Sequence, residues 1–141
     1  MKLFVDSWGW LVLADRKDAR HPAAVDCYRS RAERRGQLVT SDYVLDETFT
    51  LLFRRRPFAE AWRFTQGILR SKAEKFLRIE PVTEDRFREA LMLRRRFSDK
   101  PRLSFTDLTS MVIMRELRLS DVLTADAHFN QVGLDFRLLP E

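Results

Sequence analysis

The chain alternates between short apolar runs and longer amphipathic segments. The run Lys2–Asp6 holds three consecutive apolar residues and predicts a buried strand, and Phe76–Val82 alternates apolar and polar residues, which also indicates a strand. Three further runs have the composition of strands: Gln37–Thr40, Asp121–Thr124 and Phe136–Leu139. The pattern therefore predicts about five short strands with helical segments between them.

Capping residues, prolines and a glycine mark where the helical segments begin and end. Ser41 or Asp42 can cap a helix that ends before Pro57, and Thr83 can cap a later helix. Gly36 is expected to stop the helix that starts near position 21. The predicted helices cover about residues 8–14, 21–35, 42–56, 57–72, 84–96 and 104–119.

The order of the predicted elements indicates the fold class. Strands that alternate with helices form βαβ units, in which the strands are parallel and the helices cover both faces of the sheet. The chain has 141 residues, which suits one domain, 1–141, and leaves little room for a second. We therefore expect a single α/β domain with a mainly parallel sheet.

The charge balance is basic, with 26 Lys and Arg against 21 Asp and Glu. A basic surface suits a polyanion such as a nucleic acid, because the binding of phosphates releases counterions. Many basic proteins bind no nucleic acid, so the net charge supports this function without establishing it. The charge becomes informative if a basic exterior surrounds an acidic pocket.

The cysteine and histidine content narrows the possible sites. Cys27 is the only cysteine, which excludes an internal disulfide and a cysteine metal cluster and favours a reducing compartment such as the cytoplasm. His21 and His128 are too few and too far apart to predict a zinc site, so we assign neither a role. No apolar run approaches the roughly 20 residues of a spanning helix, and no membrane partner is expected.

Four acidic residues occur where a parallel sheet would bring them to one edge. Asp6 ends the first predicted strand, Asp126 follows the fourth, and Glu47 and Asp107 lie early in helices. The carboxyl ends of the strands and the starts of the helices share the edge at which open α/β sheets form their active sites. Three of these acids also have a local explanation: a turn for Asp6, a helix cap for Asp126, and a capping box with Ser104 for Asp107. Their joint placement predicts one acidic pocket.

Helix geometry separates these acids from their neighbours. Asp107 begins a helix whose next seven residues, LTSMVIM, carry no charge, and a carboxylate on such a buried helix needs a metal or a cap as partner. Glu47 falls on the flank of an apolar stripe, whereas Asp46 is expected to face solvent. Asp121 precedes its strand and is therefore expected at the opposite edge of the sheet.

A pocket of carboxylates indicates a particular chemistry. Carboxylates that share a pocket repel one another and become partly protonated unless a cation compensates them. Mg²⁺ and similar hard cations prefer oxygen ligands and need neither His nor Cys. Such a cation can activate water and neutralise charge that develops on a phosphate. An all-oxygen site in a basic protein therefore predicts hydrolysis of phosphodiester bonds.

Four motifs that carry these acids occur in a characteristic order: LFVDS with Asp6, YVLDETFTLL with Glu47, LSFTDLTS with Asp107 and VLTADAHF with Asp126. This ordered set resembles the PIN-domain ribonucleases, and most closely the VapC-type toxins of toxin–antitoxin pairs. Each motif is weak alone, but the set extends over nearly the whole chain. No motif of the family matches the stretch between positions 54 and 80.

The resemblance implies a three-layer α/β/α sandwich and an endoribonuclease that depends on Mg²⁺ or Mn²⁺. Carried over by position, Asp6, Glu47 and Asp107 are the core metal ligands, and Asp126 is a fourth catalytic acid that acts mostly through water. Thr124 lies where the family often keeps a hydroxyl near the metal. The resemblance also implies an RNA substrate, a homodimer and a small antitoxin protein that blocks the site.

Two other parts of the chain concern partners. The region 49–69 is rich in aromatic and aliphatic residues, and about half of them are expected in the core. The remainder predicts an antitoxin groove or a dimer contact. Lys100 and Arg102 lie in the loop before Asp107 and are predicted to bind RNA. Arg54–Arg56 and Arg94–Arg96 end helices, where the dipole favours cations, and are expected away from the acids.

Other α/β families fit the sequence less well. Haloacid-dehalogenase-type phosphatases need an acid where this chain has Trp8, receiver domains need a lysine beyond Lys100, and the four glycines form no phosphate loop. Two alternatives stay open. One is a non-catalytic PIN-like module that binds RNA or protein, and the other is a nuclease that uses the same chemistry on DNA.

Overall fold

The computed structural model describes residues 1–141 and contains one five-stranded sheet. All neighbouring strands pair in parallel, and every residue of the central strand is buried. The strands are β1 (Leu3–Val5), β2 (Leu38–Ser41), β3 (Leu77–Glu80), β4 (Asp121–Leu123) and β5 (Arg137–Leu139), in the spatial order β3-β2-β1-β4-β5.

Helices cover both faces of this sheet, which confirms the predicted three-layer α/β/α sandwich. Right-handed crossovers place the helices before β3 on one face and those that follow it on the other, because the chain reverses its direction across the sheet after β3. None of the helices combines the length and the apolar character that a membrane span requires. The helices are α1 (Ser7–Ala14), α2 (His21–Ala32), α3 (Asp42–Arg55), α4 (Phe58–Ala73), α5 (Glu84–Arg96), α6 (Phe105–Glu116) and α7 (His128–Gln131).

The reversal of strand order creates a crevice between β1 and β4. The chain moves from β1 to β2 on one side and later returns to β4 on the other, so a gap forms beyond the carboxyl ends of these two strands. Gly9 lets α1 approach this point closely, because a Cβ atom there would lie 2.6 Å from the carbonyl oxygen of Leu123. The start of α1 therefore lies directly against the end of β4.

The amino edge of the sheet is held by a buried ion cluster. Asp121 is only 2% exposed, and its carboxylate lies 3.0 Å from the guanidinium of Arg31 and 2.8 Å from that of Arg137. Burial raises the pKa of Asp121, but the two guanidinium groups outweigh burial and hold that pKa below its usual value. Asp121 is the first residue of β4 and thus belongs to the edge opposite the predicted pocket, as expected from the sequence.

Several predicted boundaries shift in the structure. The helix α2 ends at Ala32, and Gly36 lies instead in the turn before β2 with a φ of 78°. The strand β3 stops at Glu80 because Pro81 cannot continue the ladder. The helix α6 ends at Glu116 rather than near position 119. The short helix α7 was not predicted.

Candidate active site

Asp6 stands at the junction of β1 and α1 and is only 3% exposed. Its position follows from the sequence, because the buried strand must end before the helix starts. Thr124, just after β4, donates a hydrogen bond of 2.8 Å from Oγ1 to Asp6 Oδ2. The other carboxylate oxygen, Oδ1, is buried and has no hydrogen-bond partner. A buried acceptor without a donor is costly unless a ligand completes it.

Glu47 reaches the same crevice from α3. The Ser41 hydroxyl caps this helix by accepting the Val44 N–H at 3.1 Å, which confirms the predicted start. Glu47 is half-buried and accepts a hydrogen bond of 2.7 Å from the Ser7 hydroxyl to its Oε1. The neighbouring Asp46 is exposed, as helix geometry predicted.

Asp107 lies in the first turn of α6 and is 8% exposed. Its backbone N–H donates to the Ser104 hydroxyl at 3.0 Å, so the capping interaction predicted from the sequence is present. That bond uses the backbone of Asp107 and leaves the carboxylate free for another role. The residues that follow are buried through Met114, which confirms the predicted apolar helix. Asp107 can therefore contribute its backbone N–H to the helix cap and its carboxylate to the pocket.

Asp126 is held beside Asp6 by the segment that follows β4. Its backbone N–H donates to Thr124 Oγ1 at 3.1 Å, and Thr124 in turn donates to Asp6. Asp126 Oδ1 accepts the backbone N–H of His128 at 2.9 Å, in the manner of a helix cap. The His128 ring follows this turn, and its Nδ1 lies 2.9 Å from the same Oδ1.

All four predicted acids line one cavity of about 610 Å³, namely Asp6, Glu47, Asp107 and Asp126. The structure thus brings together residues that are up to 120 positions apart, as Asp6 and Asp126 are. The cavity occupies the crevice beyond β1 and β4, where the strand order reverses. The predicted grouping of the acids at one edge of the sheet is present in the fold.

The electrostatics of this cavity favour a bound cation. Burial raises the pKa of Asp6 to about 6, helped by the charges of Glu47 and Asp126, although the Thr124 hydrogen bond opposes the rise. Burial and the charges of Asp6 and Asp126 raise the pKa of Asp107 to about 8. Without a cation, these carboxylates resist being charged together at neutral pH. The buried, unpartnered oxygen of Asp6 and the oxygen-rich wall fit a divalent metal ion.

Basic side chains line the rim of the acidic cavity. Arg102 is among the lining residues, as predicted, together with Arg20 and Arg55. Lys100 is not among them, and its ammonium lies 3.3 Å from Asp99. The expectation that all of Arg54–Arg56 lie away from the acids is wrong for Arg55. It stands two helical turns beyond Glu47 on the same face of α3, so the cavity extends along the helix.

Two of the lining residues could not be anticipated from the motifs. Trp8 contributes to the wall, and the Arg20 guanidinium lies 5.1 Å from the centre of its ring. His128 also lines the cavity, although it received no role from the sequence. The only sequence signal for His128 was its position two residues after Asp126. The tight turn that follows β4 is what brings the ring back to the acids.

A family model for the PIN domain matches residues 4–134. The chain belongs to the PIN-domain family. The 23S rRNA-specific endonuclease VapC20 of Mycobacterium tuberculosis is 31% identical to it over 131 residues, which cover 93% of this chain and 94% of that protein. The crystal structure of VapC20, a toxin that cleaves the sarcin–ricin loop, superposes with a TM-score of 0.80 over 96% of this chain and 99% of VapC20.

Two other solved structures share the fold at lower identity. VapBC2 from Rickettsia felis, bound to a DNA fragment from its promoter, is 12% identical with a TM-score of 0.74, and the match covers 98% of this chain and 97% of that one. FitAcB from Neisseria gonorrhoeae is 14% identical with a TM-score of 0.63, over 96% of this chain and 95% of that one. At these identities the likeness concerns the fold alone.

Proposed function

We propose that this PIN domain is a metal-dependent endoribonuclease and the toxin of a type II toxin–antitoxin pair. The observation that carries the proposal is the cavity in which Asp6, Glu47, Asp107 and Asp126 converge. The similarity to VapC20 over 93% of the chain supports RNA as the substrate. The single cysteine, which is half-buried and free, suits action in the reducing cytoplasm.

The residues of the cavity have separable tasks. Asp6, Glu47 and Asp107 would hold a divalent cation, Mg²⁺ or Mn²⁺, with Asp126 acting mostly through water. Such a cation would supply activation of water and compensation of the charge that develops on the phosphate. The hydroxyls of Ser7 and Thr124 hold the Glu47 and Asp6 carboxylates in place, which limits the rearrangement needed on binding.

The substrate strand would enter over the basic rim. Arg102 and Arg55 line the cavity beside the acids, where they can pair with backbone phosphates on either side of the cleaved bond. We keep Lys100 as a more distant phosphate contact, because only Pro101 separates it from Arg102 on the same loop. Replacing Lys100 and Arg102 with Ala is expected to weaken RNA binding and to flatten its salt dependence, with little change in metal affinity.

A cleavage assay on total RNA tests the proposed activity. The purified protein is incubated with total RNA in Mg²⁺, in Mn²⁺ and in EDTA, and the ends of the fragments are mapped and chemically typed. We expect cleavage at a few sites that depends on metal, with no covalent enzyme intermediate. The same assay on DNA separates RNA from DNA as substrate. Activity that survives thorough EDTA treatment would contradict a metal-dependent mechanism.

The alternative function is a PIN-like module that binds RNA or protein without cutting. The convergence of four acids in one cavity favours catalysis over this alternative, because a site that only binds RNA gains nothing from carboxylates that repel phosphates. Retention of RNA on the protein without any fragment formation, in both metals, would favour the binding module instead.

An exposed apolar surface offers a site for the antitoxin. Phe58 and Trp62 are 69% and 52% exposed and stack with their ring centres 5.9 Å apart, and Phe53 packs beside Phe58. Leu69 is also exposed, whereas four other large apolar residues of the predicted region are partly or fully buried, namely Phe49, Leu51, Leu52 and Phe64. We name Phe53, Phe58 and Trp62 the α3–α4 patch. Since α3 also carries Glu47, a protein bound here would lie beside the cavity and could block it.

A second exposed apolar surface was not predicted. Phe87, Leu91 and Met92 on α5 are 40%, 48% and 58% exposed, and Phe105 packs edge-on against Phe87. We name Phe87, Leu91 and Met92 the α5 patch and propose that it contributes to the homodimer. It lies on the helix layer opposite to the α3–α4 patch, so an antitoxin and a second copy could bind at the same time.

A further inference from the structure

The environment of His128 differs from that of an ordinary surface histidine. Its Nδ1 atom is buried and has no hydrogen-bond partner, although Asp126 Oδ1 lies 2.9 Å away. That oxygen already accepts the backbone N–H of His128. The protein thus places a nitrogen with no hydrogen-bond partner against the acidic cavity.

The donor atoms around this ring form a cluster only slightly wider than one coordination sphere. Ligand atoms of Asp107, Asp126 and His128 all lie within 4.8 Å of one another. Neighbouring ligands of an octahedral ion with bonds of about 2.1 Å are roughly 3 Å apart, and opposite ligands are roughly 4.2 Å apart. The 2.9 Å between Nδ1 of His128 and Oδ1 of Asp126 matches a neighbouring pair, so in this arrangement Asp126 would contact the ion directly instead of through water.

A second observation indicates a ligand at the same cavity. Asp6 is 3% exposed, lines the cavity with these residues, and keeps its Oδ1 buried without a partner. The unsatisfied oxygen and the unsatisfied nitrogen belong to two separate segments, after β1 and after β4. Both residues line the same cavity, so cation binding there would give each of these atoms a partner.

We propose that His128 is a metal ligand of this site through an imidazole nitrogen and that the site consequently binds Mn²⁺ in preference to Mg²⁺. This inference rests on the proposed function, because it concerns the cation of the same cavity. Mg²⁺ prefers oxygen ligands, whereas first-row transition ions accept imidazole readily. An all-carboxylate pocket distinguishes poorly between the two ions, and one nitrogen ligand shifts the balance towards Mn²⁺.

The chain offers a simple spectroscopic test because it contains only two histidines. Tag-free protein is loaded with Mn²⁺, and electron spin echo envelope modulation is used to detect a ¹⁴N nucleus bound directly to the ion. We expect the imidazole ¹⁴N signal in the wild type. The signal should persist in His21→Asn, since the His21 ring contacts the backbone oxygen of Val12 and does not line the cavity.

The variants His128→Asn and His128→Gln complete the test, with thermal melting to confirm that they fold. We expect the ¹⁴N signal to disappear, Mn²⁺ affinity measured by calorimetry to fall by about tenfold or more, and Mg²⁺ affinity to change far less. Mn²⁺ bound tightly with no ¹⁴N signal would overturn the role of His128 and leave the proposed nuclease intact. Failure of the wild type to bind either ion would overturn both.

Discussion

At the scale of single residues, the cavity makes metal-free protein sensitive to pH. The pKa values of Asp6 and Asp107 are raised to about 6 and about 8, above the usual value near 3.8. The folded state therefore holds more protons than the unfolded state between about pH 4 and pH 8, and its stability falls as pH rises through this window. For Asp6 alone, the shift corresponds to roughly 3 kcal/mol at neutral pH.

Thermal unfolding of EDTA-treated protein at pH 5 and pH 8 measures this effect. We expect a lower Tm at pH 8, and we expect added Mn²⁺ to recover the loss, since the ion compensates the carboxylates. The variant Asp107→Asn should melt higher than the wild type at pH 8 and should gain little from metal. An equal Tm for the metal-free wild type at both pH values would show that the cavity does not raise the pKa values of Asp6 and Asp107.

Gly9 provides a second prediction at this scale, with a matched control. Gly9→Ala places a Cβ atom 2.6 Å from the Leu123 carbonyl oxygen, so α1 must shift from the end of β4. We expect a loss of about 1–3 kcal/mol in the free energy of unfolding and reduced cleavage, because Asp6 and Ser7 move with the helix. Gly67→Ala in α4 meets nothing within 4 Å and should instead stabilise by about 0.5–1 kcal/mol.

Denaturant titration of both glycine variants measures these changes. The proposed close contact between α1 and β4 fails this test if Gly9→Ala is as stable and as active as the wild type. It also fails if the two substitutions change the stability in the same direction, because an added Cβ atom meets a neighbour at Gly9 and meets none at Gly67.

Individual residues also show what the sequence could and could not predict. Asp6 and Glu47 were identified because strand ends and helix faces follow from short patterns of apolar positions. The positions of His128 and Arg55 in the cavity were missed because they depend on the turn after β4 and on the length of the cavity. Neither property is encoded locally, so only the assembled fold reveals them.

At the scale of elements, the loop between α5 and α6 is fixed by one arginine. Arg94 donates hydrogen bonds to the carbonyl oxygens of Phe97, Lys100 and Leu103, at 2.5, 2.6 and 2.8 Å. This loop carries Arg102 to the rim of the cavity and ends at the cap of α6. The arginine thus stabilises the local backbone that positions a predicted RNA contact.

Arg94→Met should loosen this loop. We expect a loss of roughly 1.5–3 kcal/mol in the free energy of unfolding and a higher KM for RNA, with a smaller effect on kcat because the four acids remain in place. Arg95→Met is the matched control, since Arg95 is its exposed neighbour and removes the same charge. Equal effects of the two variants on KM would mean that net charge, rather than the loop, accounts for the change.

The elements and the starts of several helices were predictable from the sequence, whereas other boundaries were not. Ser41, Thr83 and Ser104 cap helices as predicted, each by accepting a backbone N–H of the first turn. Gly36 was misplaced because a glycine that can stop a helix can equally adopt the positive φ of a later turn. The helix α7 has only four residues, too few for a periodic pattern.

At the scale of the whole molecule, the two apolar patches predict separate partners. Phe58→Ser with Trp62→Ser in the α3–α4 patch should abolish capture of a co-expressed antitoxin and leave RNA cleavage unchanged.

Leu91→Ser with Met92→Ser in the α5 patch should weaken the homodimer, measured by sedimentation, and leave antitoxin capture intact. A wild-type protein that is monomeric and indifferent to any co-expressed partner would contradict both assignments.

The measurement that tests the central claim most directly is cleavage of one defined RNA by single acid variants. The set is Asp6→Asn, Glu47→Gln, Asp107→Asn and Asp126→Asn, with exposed Asp46→Asn as the control that removes the same charge one residue from Glu47. We expect the first three to lose at least about a hundredfold in kcat, Asp126→Asn to lose less, and Asp46→Asn to match the wild type. Wild-type rates in any of the first three would contradict a metal site built from these acids.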